Sequence, residues 1–233
     1  MTQQSSAQPE FFARIRALKN EGQHEKALTL VNEQIERIKE KDEVRLLQFE
    51  RGLLLVDRER YDEAILQFQE LIKTKHNITE YAHYYLATTY LKKGDLVEAQ
   101  KHLQQVLALS PNIKMQNDVH FLLAKVHIEN KKFKDARFLL QKLEKKNRRE
   151  ESYSDIIYEL SRAERGAANY AQFCRWTKKL FANYPEYSKI QSWGLNHPAN
   201  LFEEKPTQCP VSVEEKRTRI KNLQWADLGK KAK

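Results

Sequence analysis

EYAHYYLATTYLKKGDLVEAQKHLQQVLALSPN, residues 80–112, decides how the rest of the chain is read. Leu86, Ala87 and Tyr90 fall on one face of a first helix, and Ala99, Leu103, Val106 and Leu107 on one face of a second. Gly94-Asp95 supplies the turn between them, and Pro111-Asn112 closes the unit. Leu96 sits at the bend, where a large side chain can plug the gap between the helices. Neither helix can bury its apolar face alone, so the unit requires neighbours of its own kind.

The pattern recurs on both sides. Upstream, RLLQFERGLLLVDRERYDEAILQFQELI (residues 45–72) places Gly52 in the small position, Leu55 in the aromatic one and Tyr61 at the plug, with Ala64, Phe68 and Leu71 following. A first copy carries Phe11, Phe12, Ile15 and Leu18, then Gly22, then Ala27, Leu28, Val31 and Ile35. Downstream, residues 117–146 carry Leu123, Ala124 and His127, then Phe133, Ala136, Leu140 and Leu143. A fifth copy over 154–185 holds Leu160, Ser161, Tyr170, Leu180 and Pro185, with Phe173 where a small residue is expected. One place in each first helix is aromatic: Phe12, Phe49, Tyr84, Phe121 and Tyr158, spaced 37, 35, 37 and 37 residues apart.

This unit resembles the tetratricopeptide repeat (TPR), through Leu86, Ala87, Tyr90, Gly94, Ala99 and Pro111. The resemblance implies an all-α, right-handed α-solenoid of about five helix-turn-helix repeats over residues 10–185. Residues 1–9 read as a disordered tail, 186–211 as an irregular extension, and 212–233 as a C-terminal helix and tail. Ser212 with Glu215 three residues on is a capping box for that helix. Two readings stand for it: folded back over the end of the solenoid, or a detached arm. Arg51 departs from the repeat pattern, and Glu59 replaces the turn glycine, which predicts a looser turn there.

Composition supports helices: six glycines and six prolines in 233 residues leave few breakers. The formal charge is +9, which suits an acidic partner or a phosphate backbone. Cys174 sits on an apolar helix face, a core position, and Cys209 lies beside Pro210 in a loop. A bridge between them and two free thiols both remain open, and so few cysteines fit a reducing compartment. The N-terminus lacks the basic and apolar regions of a secretion signal, and no apolar run is long enough to span a membrane. Cytoplasmic residence is expected, or periplasmic if a signal peptide has been trimmed away.

No phosphate loop, GxSxG or HExxH is present, so no enzyme, cofactor or metal site is expected. His120 and His127 stand seven apart without a third ligand, and Glu203-Glu204 has no companion site. In the TPR family the working surface is the concave groove lined by first helices. Here that implies Phe12, Phe49, Tyr81, Tyr84, Lys92, Phe121, Lys125, Tyr158, Arg162 and Arg165. Aromatic rings with basic edges suit a protein or peptide carrying apolar anchors and carboxylates. The same rings could instead pack between adjacent repeats. The family's carboxylate clamp needs Lys and Asn where Phe12, Phe49 and Thr88 stand, so that ligand is not expected.

A basic stretch, residues 131–150, offers a second surface through Lys131, Lys132, Lys134, Lys145, Lys146, Arg148 and Arg149. It could meet nucleic acid or an acidic partner, or be ordinary solvated helix. RIKNLQWADLGKKAK, residues 219–233, is similar to part of the non-catalytic superhelix of soluble murein lytic transglycosylases. That resemblance implies an accessory solenoid whose catalytic domain lies elsewhere.

Overall fold

A computed structural model describes residues 7–73, 75–109, 112–146, 152–184, Tyr187 and Cys209, with Glu214, Arg217, Thr218 and 220–222. The described residues form helices and connecting turns, with no strand among them. In chain order these are α1 (Ala7–Asn20), α2 (His24–Arg37), α3 (Lys41–Asp57), α4 (Tyr61–Ile72) and α5 (Thr79–Lys93). They continue with α6 (Leu96–Ala108), α7 (Ile113–Glu129), α8 (Phe133–Lys146), α9 (Tyr153–Gly166) and α10 (Tyr170–Asn183). Two compact units result, residues 1–113 and 114–233. In the first, each of α1 to α5 packs on the next in sequence; in the second, α8 packs on α9 and α9 on α10.

α1 starts at Ala7, ahead of the expected boundary at residue 10. Pro9 reads as a breaker, yet in a first turn its missing N–H is one that no intrahelical carbonyl would have accepted. Glu10 in the same turn suits the positive end of the helix dipole.

The five hairpin turns are built alike. Gly22, Glu59, Gly94, Lys131 and Ala168 are all left-handed, with φ between 57° and 87°. In each, the N–H of that residue reaches the carbonyl three back and the next N–H the carbonyl five back. Gly94 to Leu91 (3.2 Å) with Asp95 to Tyr90 (2.9 Å), and Glu59 to Val56 (3.0 Å) with Arg60 to Leu55 (2.9 Å), are two examples. This double closure satisfies carbonyls that a helix end leaves free. The looser turn expected at Glu59 is therefore corrected: two hydrogen bonds per turn outweigh the crowding of a Cβ at positive φ, about 1–2 kcal/mol. Asp95 completes the central turn by accepting from the Glu98 N–H at 3.1 Å.

The cores follow the register. Three residues beyond each aromatic place stand Ile15, Gly52, Ala87, Ala124 and Ser161, all buried. Gly52 lies under Phe68, itself 0 % exposed; a Cβ on Gly52 would meet the Phe68 ring at 2.6 Å. The larger ring and the smaller backbone neighbour compensate each other. The fifth repeat inverts this arrangement. Phe173 is buried in the small place of α10, and one turn on stands Thr177, where the earlier copies hold Val31, Phe68, Leu103 and Leu140. Gly166 likewise makes room for the Phe133 ring, which would lie 2.2 Å from an added Cβ.

Ion pairs tie neighbouring repeats within each unit. Lys19 of α1 meets Glu50 and Asp57 of α3 at 3.4 and 3.2 Å, and Arg58 meets Glu25 at 2.9 Å. In the second unit Arg137 of α8 meets the buried Glu164 of α9 at 3.3 Å, and Asn169 donates to the same carboxylate at 2.9 Å. Lys179 of α10 meets Glu144 of α8 at 3.3 Å and donates to the Tyr153 hydroxyl at 2.6 Å.

The C-terminal segment returns to α10. Cys209 is joined to Cys174 by a disulfide, and helical residues within 214–222 follow. Asn222 donates to the Ala182 carbonyl near the end of α10 at 2.8 Å. Of the two readings left open for this helix, the folded-back one matches these contacts. Cys174 is half-buried and bonded, where a core position was expected. The rest of the extension, with Trp193, Asn196-His197-Pro198 and residues 223–233, lies outside the described residues.

Two stability measurements test this account. Glu59→Gly, Lys131→Gly and Ala168→Gly should each raise stability by roughly 1 kcal/mol in urea unfolding, while Gly94→Ala lowers it by about as much. Gly52→Ala should cost about 1–3 kcal/mol by overpacking against Phe68, and Phe68→Leu in the same chain should recover part of it.

Candidate functional site

The aromatic register occupies an intermediate level. Phe12, Phe49, Tyr84, Phe121 and Tyr158 are all half-buried; Phe12 and Phe49 pack against the core of the first unit, Phe121 and Tyr158 against that of the second, and Tyr84 against the Tyr85 ring. In the first unit Phe49 meets Phe68 and Tyr85 edge-on, with centroids 5.8 and 5.4 Å apart, and Tyr84 meets Tyr85 at 5.4 Å. Tyr85 stacks on Phe68 at 6.2 Å, so four rings from three helices support one another. In the second unit Tyr158 lies 5.7 Å from Tyr187, whose hydroxyl donates to Asp155.

The flanking members divide by environment. Tyr81 is exposed in the first turn of α5 and Lys92 in its last. Lys125 is half-buried on α7, and Arg165 is exposed at the end of α9. Arg162 is engaged: its guanidinium meets Glu129 of α7 at 2.7 Å and the buried Glu159 at 2.9 Å. Partial burial works against its charge, but the two carboxylates outweigh burial and hold its pKa above the ordinary value. Arg162 thus ties α9 to α7.

On the basic stretch, Lys131, Lys132, Lys134, Lys145 and Lys146 are exposed, while Arg137 turns inward to Glu164. Arg148 and Arg149 lie outside the described residues. Sequence reading passed over Phe138, which is 70 % exposed, with Lys134 one turn before it and Lys142 one turn after. The signal was legible: Phe138 falls outside the 136, 140 and 143 core stripe of α8. The local potential is positive there. Burial pushes the His120 pKa down, and Lys142 and Lys146 push it further.

Nothing among the described residues forms a group of three or more His, Cys, Asp or Glu side chains able to hold a metal ion. No helix there is long and apolar enough to cross a membrane. A cleft of about 570 Å³ lies between α10 and the C-terminal helix, lined by Cys174, Lys178, Ala182, Glu214 and Thr218 among others.

Helix hairpins stacked in register, closed by identical turns, define the class: an all-helical repeat protein. Tetratricopeptide-repeat sequence families match residues 49–112 and 90–157. The chain belongs to the tetratricopeptide-repeat family. No curated protein matches it. Among solved structures it resembles a Podosopora anserina chain of nearly identical TPR-like repeats, with 18 % identity, TM-score 0.65, and 82 % of this chain and 100 % of that one covered. A Parabacteroides merdae tetratricopeptide repeat protein aligns at 13 % identity and TM-score 0.65, covering 79 % and 69 %. YrrB, described as a TPR protein with an unusual peptide-binding site, aligns at 15 % identity and TM-score 0.59, covering 79 % and 91 %. At these identities the likeness shows the fold. Proteins of this family bind protein or peptide partners, and the repeat is typically a non-catalytic scaffold.

One electrostatic feature is measurable without a ligand. His83 of α5 and His102 of α6 meet through their Nδ1 atoms at 3.0 Å, and Tyr90 stacks on the His102 ring at 5.7 Å. Burial, then the neighbouring His83, lowers the His102 pKa to about 4 despite the opposing Glu98. The unfolded imidazole takes a proton near pH 6.5 and the folded one does not. This stabilisation is therefore complete above about pH 6.5 and disappears as pH falls towards about 4, a span worth on the order of 2–3 kcal/mol. Urea unfolding at pH 4.5 and 7.5 should show that loss, and His102→Gln should flatten it.

Proposed function

We propose that this protein is a non-enzymatic adaptor that holds a partner protein or peptide on its first-helix faces. The observation that carries the reading is the half-burial of the aromatic register. The residues three positions further on are sealed in the cores, while Phe12, Phe49, Tyr84, Phe121 and Tyr158 keep ring surface toward solvent. Rings held by other rings lose little entropy on binding, which favours them as anchors. Tyr81 and Lys92 flank the anchors of the first unit, and Lys125 and Arg165 those of the second. Exposed and half-buried cations beside apolar anchors fit a partner with Asp or Glu next to large apolar residues.

Capture from the native extract tests this reading. Full chain and the Tyr84→Ala/Phe121→Ala variant are compared, with circular dichroism confirming that the variant is folded. A partner bound by the first should bind the second at least tenfold more weakly, and Lys125→Glu should weaken it several-fold. Equal capture by all three chains would refute the reading.

The exposed Phe138 ring between Lys134 and Lys142 favours a second reading, in which α8 meets single-stranded nucleic acid. Lysines would track phosphates while the ring stacks on a base. Binding of an RNA oligonucleotide that falls steeply with salt, and is reduced by Phe138→Ala, would support it; no binding at low salt would dismiss it.

A further inference from the structure

We infer that Cys174 and Cys209 are a disulfide-forming modification site that clasps the C-terminal helix onto α10, and that the chain completes its fold in a thiol-oxidising compartment. This rests on neither reading of the partner surface. The chain has two cysteines, and the fold brings both together across 35 residues with 5.0 Å between their Cα atoms, inside the range a disulfide spans. Cys209 is 3 % exposed, so the pairing leaves that sulfur inside the protein rather than on its surface.

The docked helix needs such a fastening. Of its described residues, Glu214, Arg217, Ile220 and Lys221 are exposed, and Ile220 alone leaves 56 % of its surface to water. The described residues of this helix bury little apolar surface and so gain little from packing alone. Among the described residues two attachments hold it: the disulfide at Cys174, and the Asn222 hydrogen bond at Ala182, two turns further along α10. The first shortens the search of the unfolded chain for this docking; the second fixes the helix direction.

The chemistry is thiol–disulfide exchange. One cysteine thiolate attacks a disulfide of an oxidising partner, either a dithiol oxidoreductase or a small-molecule disulfide, and releases one of its sulfurs as a thiol. The second cysteine thiolate then displaces the other. Two protons and two electrons leave the cysteines, and the oxidant ends as two thiols. A reducing cytosol would run the exchange backwards.

The test uses full-length protein from its native cells, quenched in acid, denatured and treated with a maleimide. No label without reductant and two labels after reduction are expected. Two labels without reductant would overturn the inference. Amide hydrogen exchange then reads the clasp itself. In Cys174→Ser, protection of residues 214–222 should fall at least tenfold while that of α9 is kept. Unchanged protection at 214–222 would also overturn it.

Discussion

A helix hairpin whose turn residue is left-handed and whose two helix-end carbonyls are both satisfied is the constraint on which this protein depends. It fixes where each second helix begins: His24, Tyr61, Leu96, Phe133 and Tyr170 each stand two residues beyond the turn residue. It also fixes which first-helix residues face the next helix. The turn residue follows the aromatic place by ten positions in all five copies. The shorter 35-residue interval arises later, in α4 and the link to α5, where the chain spends 25 residues from Glu59 to Tyr84 and 27 in the other copies. Within a hairpin the geometry is invariant; between hairpins the chain has latitude. That three of the five turns tolerate a Cβ shows that the double hydrogen-bond closure, not the glycine, defines the motif.

Around this frame, packing is conserved in sum rather than residue by residue. Phe68 grows where Gly52 shrinks, and Phe173 fills the space beside Thr177. Close packing explains both, because a core at crystal-like density accepts volume only where a neighbour yields it. The charged pairs work differently. Surface pairs such as Arg58–Glu25 contribute little, whereas Glu144, Glu159 and Glu164 are buried and each meets a partly exposed cation, so losing that cation costs more there. Those three carboxylates make the second unit more sensitive to single charge changes than its exposed lysines suggest.

Much of this was legible in the sequence. Apolar spacing, the small positions and the recurring aromatic place identified every hairpin and the family. Turn geometry at Glu59, Lys131 and Ala168 was not legible, because it depends on backbone hydrogen bonds that any residue type supplies. Nor was the role of Arg162: its two carboxylates lie one turn before it on α9 and on another helix, Glu159 and Glu129, and spacing along one chain does not reveal the second. Pairing of Cys174 with Cys209 required knowing that the C-terminal segment returns to α10. Phe138 was readable as off the core stripe of α8, although the lysines around it make charge the stronger signal of that stretch.

The adaptor reading makes one claim above others: partner atoms touch the aromatic register. Photo-crosslinking in native cells reads this contact directly. A photoreactive phenylalanine analogue replaces Tyr84 or Phe121 in the full chain, and Val97, 75 % exposed on α6, in a control chain. Adducts to the same protein from positions 84 and 121, with none from 97, are predicted. An adduct from position 97 with none from 84 or 121 would contradict the account.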